Sequence, residues 1–273
     1  MNYAKQHRGV VVAQNGMIAA SQPLAVSAGL KVLQQGGNFV DCALAASAVL
    51  CVVEPYNSHL GGDAFIIVYD NKTGETTALN ASGASPKAAT LDHFANGIPL
   101  RGLQAVSVPG LISAWFALHE RWGTIPVANL LETAIQYAEG GFPAGYRYCR
   151  AFQDNRDLLL QFPDTADALL TNGKFPTPGS RVVQPDLAWT LRQIAQHGRS
   201  AFYEGAITER ILKYSEANGG LFSAQDFAEH QTQITAPIQT NYRGYTVHGQ
   251  PPVSQGHILL QELNLVEGFD LAA

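Results

Sequence analysis

Residues 38–53, NFVDCALAASAVLCVV, limit the folds open to this chain more than any other segment does. The segment is almost entirely small and apolar, and Asp41 is its only charged residue. A helix that is apolar on every side has no face for solvent, so neighbouring elements must surround it. The small side chains let those neighbours approach closely, and Asp41 near the start suits the positive end of a helix dipole. We therefore predict a buried helix within a layered fold.

The composition predicts a globular chain with a large core. The chain has 273 residues, of which 46% are hydrophobic and only 14% are charged. A chain of this length buries about three quarters of the surface that its unfolded form exposes. The low charged fraction also suggests that a second chain or subunit covers part of the surface.

Charge and hydropathy exclude two classes of partner. The net charge is −5 and no run of Lys and Arg stands out, so we expect no nucleic-acid partner. The wholly apolar runs are far too short to span a bilayer, so we expect no membrane partner. The apolar run at residues 10–13 is too short for a secretion signal, which predicts a cytoplasmic protein. The three cysteines include no C-x-x-C motif and predict free, buried thiols.

Hydrophobic periodicity predicts helices and strands in clusters rather than in strict alternation, which favours an α+β layered fold. Residues 10–21 are typical of a strand, and Pro23 is expected to begin a helix. The spacing of Val26, Leu30 and Leu33 places them on the apolar face of that helix. The other predicted strands are residues 64–69, 75–79 and 242–250, and the other predicted helices include residues 111–122, 127–139, 187–196 and 258–266.

Common motifs for cofactor, metal and serine-hydrolase chemistry are absent from the sequence. It contains no G-x-G-x-x-G or G-x-x-x-x-G-K-[ST] for phosphates and no G-x-S-x-G nucleophile elbow. The eight histidines lack the spacing of a zinc site, and the acidic residues form no evident catalytic pair. We therefore expect no cofactor and no metal ion.

Two loop segments are candidates for a binding site. Gly61 and Gly62 lie between a proline-containing loop and a predicted buried strand, where glycine lets a backbone pass close to a ligand or to another backbone. Asp63 follows them and is either part of that site or a turn-capping carboxylate. Residues 78–90, ALNASGASPKAAT, follow a predicted strand and are rich in hydroxyls that could hold a polar ligand. The alternative for this segment is a surface turn.

Four segments together resemble the γ-glutamyltranspeptidase family. They are QQGGNFVDCALAASAVLCVVEPYNSHLGGDAFIIVYD (34–70), AVSVPGLISAWFALHERWGTIPVANLLETAIQYAEGGFP (105–143), AFYEGAITERILKYSEANGGLFSAQDFAEH (201–230) and NYRGYTVHGQPPVSQGHILLQELNLVEGFDL (241–271). The matches run in order from about Val10 to Leu271, which is far more specific than any single motif. Asp63 and Ala64 depart from the glycine run of the family signature.

The resemblance implies an α+β, four-layer αββα sandwich of the N-terminal-nucleophile hydrolase type. Residues 1–273 then form a single domain, the large-subunit portion of that fold. A self-cleaving precursor yields a heterodimer, and the nucleophile is the N-terminal threonine of the small subunit. The implied substrate is a small-molecule amide, with γ-glutamyl compounds such as glutathione as the default. That threonine would lie beyond this sequence, so we expect no catalytic residue in this chain.

The resemblance also locates the substrate-binding residues. In the family, the segment after the second hairpin strand carries an arginine that pairs with the α-carboxylate of the substrate. The aligned residue here is Ser82, or Ala84 with another gap, and no arginine lies between Val68 and Leu100. A hydroxyl does not replace a bidentate guanidinium–carboxylate pair, so we predict weakened γ-glutamyl recognition. The expected substrate-binding residues are Ser82, Asn80, Ser85, Gly61 and Gly62.

Two other functions remain open from the sequence. One is an acylase of the same fold that acts on another N-acyl amide, as the cephalosporin and glutaryl acylases of the family do. The missing arginine favours this function. The other is a truncated, non-catalytic chain that only binds a partner, which the missing nucleophile favours.

Overall fold

The computed structural model describes residues 9–171 and 173–271. The helices are α1 (Pro23–Gln34), α2 (Phe39–Val53), α3 (Leu111–Trp122), α4 (Val127–Gly140), α5 (Tyr146–Asp154), α6 (Arg156–Leu160), α7 (Pro163–Leu169), α8 (Pro185–His197), α9 (Arg199–Tyr203), α10 (Ala206–Ala217), α11 (Ala224–Ala228) and α12 (Gly256–Val266). The strands are β1 (Phe65–Asp70), β2 (Glu75–Asn80), β3 (Phe142–Pro143), β4 (Arg181–Val182), β5 (Gln233–Thr235), β6 (Ile238–Tyr242) and β7 (Tyr245–Gly249). The predicted helices 111–122, 127–139, 187–196 and 258–266 are confirmed as α3, α4, α8 and α12.

Helix α2 is the buried centre of the helical part, which confirms the prediction from its sequence. Eleven of its 15 residues are buried. Helices α1, α3 and α4 pack around it. Ser47 faces α3 and accepts a hydrogen bond of 3.0 Å from the indole of Trp115, which satisfies both polar groups inside the core.

Asp41 holds the start of α2 and ties it to the loop before α4. Its carboxylate, 0% exposed, accepts hydrogen bonds from the backbone N–H groups of Asn38 at 3.0 Å, Thr124 at 3.0 Å and Ile125 at 3.3 Å. The first of these completes a capping box. Burial by itself raises the pKa of Asp41, but the hydrogen bonds outweigh burial and hold that pKa below its ordinary value. The carboxylate is therefore charged and fully engaged at neutral pH.

Helix α1 begins at Pro23 as predicted, but its predicted apolar face is only partly confirmed, since Leu33 packs against the core and Val26 is half-buried. Its buried residues are small or β-branched, namely Ala25, Ala28, Gly29 and Val32. Leu30 is exposed instead. A Cβ at Gly29 would lie 3.1 Å from the carbonyl oxygen of Cys42 on α2. The two helices approach too closely for larger side chains, so small residues form the contact.

The predicted strand over residues 10–21 is also wrong. All of residues 10–21 are described by the structure, and they form neither a strand nor a helix. Val10 and Val12 are 92% and 86% exposed, so no element within residues 9–171 and 173–271 covers their apolar side chains. A high β propensity alone does not form a strand without a partner strand.

A three-stranded antiparallel sheet has the strand order β1-β2-β5. The predicted hairpin is confirmed as β1 and β2, with Phe65 opposite Asn80 and Asp70 opposite Glu75. One face of the sheet packs on the helices through Val68 and Leu79, which contact Val40 and Leu118. This pairing fixes which face of the sheet is turned away from the helical core.

The opposite face of this sheet is exposed along β1, although Ala78 beside it on β2 is buried. Phe65, Ile67 and Tyr69 of β1 alternate along the strand and are 43%, 43% and 59% exposed. We call these three side chains the open face. Such a contiguous apolar surface on a sheet is typical of an interface rather than of a free surface.

Strands β6 and β7 form a separate two-stranded hairpin, against which α12 packs. The predicted strand 242–250 is confirmed in its second part, β7, while Tyr242 ends β6. The side-chain amide of Gln250 donates to the carbonyl oxygens of Ile66 and Leu79, which links this hairpin to the first sheet. Within the described residues, no helix combines the length and hydropathy needed to cross a membrane.

Candidate functional site

Three loop segments meet at the end of β1 and β2, and we call their contact the candidate wall: residues 61–64, 80–85 and 108–111. The N–H of Ala81 donates to the carbonyl of Ala64 at 3.0 Å, and the N–H of Val108 donates to the carbonyl of Ala84 at 3.0 Å. The carbonyl of Gly62 accepts from the first N–H groups of α3, at 2.8 Å from Leu111. The structure thus brings the two predicted loop segments together and adds a third.

Two glycines that the sequence did not single out, Gly83 and Gly110, allow the backbones of the segments 80–85 and 108–111 to approach each other closely. A Cβ at Gly110 would lie 1.5 Å from the carbonyl oxygen of Ala81. A Cβ at Gly83 would lie 1.6 Å from the carbonyl oxygen of Val108. Only a residue without a side chain fits at either position, because the obstructing atoms are backbone. A single sequence gives no sign of this contact, since it joins segments that are far apart in the chain.

Ser82 lies on the candidate wall and is hydrogen-bonded to Asp63. Its hydroxyl donates to Oδ2 of Asp63 at 2.8 Å, and the N–H of Gly83 reaches Oδ1 at 3.4 Å. Ser82 is half-buried and Asp63 is exposed. Asp63 therefore links residues 61–64 to residues 80–85, a contact that a binding site and a turn-capping carboxylate would both make.

The other predicted site residues have different local roles. The side chain of Asn80 accepts from the N–H of Ser82 at 2.9 Å, a turn that fixes the course of the wall. Ser85 is exposed, and its hydroxyl has no hydrogen bond within the described part of the chain. A Cβ at Gly61 would meet only the ring of His59, at 3.5 Å, so packing alone does not require glycine there.

Tyr203 supports the candidate wall from below. It is fully buried, its hydroxyl donates to the carbonyl of Pro109 at 2.8 Å, and it accepts from the N–H of Ser113 at 3.0 Å. Burial raises the pKa of Tyr203, with the nearby Asp63 charge adding to the effect. The phenol is therefore neutral, and its hydrogen bond to Pro109 holds the segment that leads into α3 in place.

His230 stacks on Tyr203 with ring centroids 5.4 Å apart. It is 8% exposed, and its Nε2 has no hydrogen-bond partner among the residues that the structure describes. Burial lowers the pKa of His230, and the positive charge of Arg199 lowers it further, whereas Asp63 acts in the opposite direction. The guanidinium of Arg199 lies 4.3 Å from the centre of the Tyr203 ring and donates to the carbonyl of His230. No sequence motif marks this cluster, because only the fold assembles it.

The positive charges near the candidate wall are already engaged. Lys87, two residues beyond its end, forms an ion pair with Glu229. Asp226 accepts from the backbone N–H of Lys87 at 2.9 Å and adds a further negative charge. Asp63 forms no ion pair within residues 9–171 and 173–271. The wall therefore carries an uncompensated negative charge.

A cavity of about 390 Å³ lies behind residue 61. Its lining is largely apolar and includes Leu60, Pro109, Leu187 and Phe202. Ser82 and Asp63 do not line it, so it is separate from the polar part of the candidate wall. In the part of the chain that the structure describes, no group of three or more His, Cys, Asp or Glu side chains is placed to hold a metal ion.

A family model described as gamma-glutamyltranspeptidase matches residues 25–273. The glutathione hydrolase-like YwrD proenzyme of Bacillus subtilis (strain 168) is 41% identical over 263 residues, which are 95% of this chain and 50% of that protein. The acylase ACY 1 proenzyme of Pseudomonas sp. (strain SE83) is 35% identical over 271 residues, 94% of this chain and 49% of that protein. The chain thus spans about half the length of the curated relatives it matches.

Solved structures of a gamma-glutamyltranspeptidase and of an acylase superpose on the chain. A cephalosporin acylase from Bacillus halodurans matches with a TM-score of 0.94 and 35% identity, over 98% of this chain and 52% of that one. Helicobacter pylori gamma-glutamyltranspeptidase matches with a TM-score of 0.92 and 31% identity, over 97% of this chain and 78% of that one. Both are mixed helix-and-sheet folds over the matched part, as is this chain.

Proposed function

Because the chain belongs to the gamma-glutamyltranspeptidase family, we propose that it is the large-subunit portion of an amide hydrolase or acyltransferase. The family match across residues 25–273 supports this function. The observation that carries it to particular residues is the candidate wall, where the segment 61–64 bonds to the segments 80–85 and 108–111 at one end of a sheet. The contact between these loop segments, which are separated in the chain, supports a binding role for the predicted site residues.

In the proposed reaction, the nucleophile belongs to the small subunit. Its N-terminal threonine hydroxyl attacks the amide carbonyl, and the α-amine of the same residue takes the proton. Backbone N–H groups stabilise the tetrahedral intermediate. When it collapses, the amide C–N bond breaks, the protonated α-amine returns the proton to the departing amine, and the acyl group stays on the threonine oxygen as an ester. Water or a second amine then attacks this ester, takes the acyl group and frees the threonine hydroxyl. This chain contributes binding: Ser82, Asn80, Ser85, Gly61 and Gly62 hold the acyl group against the nucleophile.

The open face is the proposed contact with the small subunit. A second sheet laid on Phe65, Ile67 and Tyr69 would bury their apolar side chains, and helices outside both sheets would complete the four-layer αββα sandwich. Residues 1–273 are then one part of a single folded unit. The proenzyme names of the relatives support formation of the two subunits by self-cleavage.

Two substrate classes fit this proposal. The first is γ-glutamyl compounds such as glutathione, since the YwrD relative is named glutathione hydrolase-like. The second is N-acyl amides of another kind, as the names of the acylase relatives indicate. The pairing of Ser82 with Asp63 favours the second class, because this polar surface contains no guanidinium for a substrate carboxylate.

Ser82→Ala is expected to reduce kcat/KM of the complete protein about fivefold, the usual effect of losing one hydrogen bond to substrate. The reduction should be in KM more than in kcat, since Ser82 binds the acyl group and does not react. The assay compares γ-glutamyl-p-nitroanilide with glutaryl- and pentanoyl-p-nitroanilide. Ser27→Ala, an exposed serine on α1, is the matched control and should leave all three rates unchanged.

Two results would count against this function. If self-processed protein cleaves none of the three amides, it is not an amide hydrolase of this kind. If γ-glutamyl turnover is strong and Ser82→Ala leaves it unchanged, the candidate wall does not bind the acyl group.

A further inference from the structure

Asp63 is the exposed carboxylate of the candidate wall. We propose that it determines specificity by selecting acyl groups that present an ammonium or another N–H donor to the wall and by rejecting those that present a carboxylate. The inference rests on the proposed function, since it concerns the acyl group bound at the same wall. It assigns the substrate class by charge.

The geometry of Asp63 leaves room for a ligand. An ionised carboxylate has about four acceptor positions. Ser82 occupies one at 2.8 Å, and the N–H of Gly83 approaches a second at 3.4 Å. The remaining positions are open to solvent, while the two bonds hold the carboxylate in place. A substrate donor therefore meets an acceptor that is already oriented.

The hydroxyl of Ser82 strengthens this preference for donors. The hydroxyl proton of Ser82 points at Asp63, so the hydroxyl presents only its oxygen lone pairs to a ligand. The pair of side chains thus offers acceptors only. A substrate carboxylate, which is also acceptor-only, would find no hydrogen there and would face a like charge.

The neighbouring cationic side chains do not neutralise the negative charge of Asp63. Lys87 is paired with Glu229, and Arg199 is directed at the Tyr203 ring and the carbonyl of His230. Positive charge is thus present near the wall, but it is turned to other partners. Like charges brought together in a binding site are strongly unfavourable, so the exclusion of carboxylates is the larger expected effect.

The test uses three p-nitroanilides of equal acyl length on the complete protein: 5-aminopentanoyl, pentanoyl and glutaryl. For the wild type, kcat/KM should be highest for the ammonium compound and lowest for the carboxylate. Asp63→Asn should lower the ammonium-to-carboxylate ratio by at least about tenfold, because it removes the charge and keeps an acceptor oxygen. Raising the salt from about 0.01 M to 1 M should compress the wild-type ratio, since exposed charges are screened.

Asp70→Asn is the matched control, because it removes the same charge at the other end of β1, roughly 20 Å away along the strand. It should leave the ratio unchanged. A wild-type preference for the glutaryl compound, or a ratio that neither Asp63→Asn nor salt alters, would overturn the proposal. The salt series needs no variant, so the test holds even if Asp63→Asn does not fold.

Failure of the proposed function would be distinguishable from failure of this inference. If neither these three compounds nor γ-glutamyl-p-nitroanilide is cleaved, the proposed function fails. Whenever the three compounds are not cleaved, they serve as equilibrium ligands for calorimetric titration. Tighter binding of the ammonium compound that Asp63→Asn abolishes would still support the role of Asp63. Equal binding, binding of the carboxylate alone or no binding would overturn it.

Discussion

Replacing Gly110 with alanine is expected to destabilise the complete protein by roughly 3 kcal/mol or more, at or above the upper end for overpacking. The added Cβ would lie 1.5 Å from the carbonyl oxygen of Ala81, and Nε2 of the buried His230 is 3.3 Å away on another side. Neither neighbour can rotate out of the way as a flexible side chain could. Residues 80–85 would have to separate from the start of α3, so the candidate wall would be lost with the stability.

Thermal unfolding measures this effect, and a loss of that size lowers the midpoint by roughly 6 °C or more for a domain of this length. Gly140→Ala is the control, since a Cβ there meets no atom within 4 Å and the residue ends α4. It should be neutral or slightly stabilising. Equal midpoints for Gly110→Ala and Gly140→Ala would show that the close approach at the candidate wall is not a constraint.

Asp41→Ala is expected to destabilise the protein by about 3–5 kcal/mol, the usual range for removing one partner of a buried charged network. Three backbone N–H groups, from Asn38, Thr124 and Ile125, would lose the buried carboxylate that accepts their hydrogen bonds. Denaturant unfolding measures the loss. Asp92→Ala is the control, because Asp92 is exposed in a loop, and it should change stability by less than about 0.5 kcal/mol.

The contribution of Asp41 should also depend on pH. Since the folded protein holds the pKa of Asp41 below its ordinary value, the carboxylate stabilises the fold fully above the unfolded pKa, near 3.9. That contribution is lost as the pH falls through the lower, folded pKa. The stability difference between wild type and Asp41→Asn should therefore shrink below about pH 4. A difference that stays constant from pH 7 to pH 3 would mean that the charge of Asp41 is unimportant.

The sequence predicts those elements whose burial is decided locally. The apolar residues 38–53 left no solvent face, and α2 is buried accordingly. The β1–β2 hairpin follows from two predicted strands, residues 64–69 and 75–79, that are separated by a short turn. By contrast, the buried face of α1 depends on how closely α2 approaches, and the segment 10–21, expected to be a strand, pairs with no strand in the described part of the chain. Both depend on a neighbour, which periodicity does not describe.

Some features of the candidate site could likewise be predicted from the sequence, and others could not. Gly61, Gly62 and Ser82 could be named from the sequence because the family resemblance covers their segments. The bond between Ser82 and Asp63 could not, since it joins residues 19 apart through the hairpin. The need for glycine at position 110 and the stack of His230 on Tyr203 likewise appear only when distant segments are folded together.

Residues 1–273 are proposed to act as one part of a catalytic unit whose attacking hydroxyl belongs to a second polypeptide. Mass spectrometry of the intact protein, made from the complete gene, tests this claim most directly when paired with N-terminal sequencing. We predict two associated polypeptides, of which one contains this chain and the other begins with threonine. A single uncleaved polypeptide that hydrolyses amides at full rate would contradict that prediction.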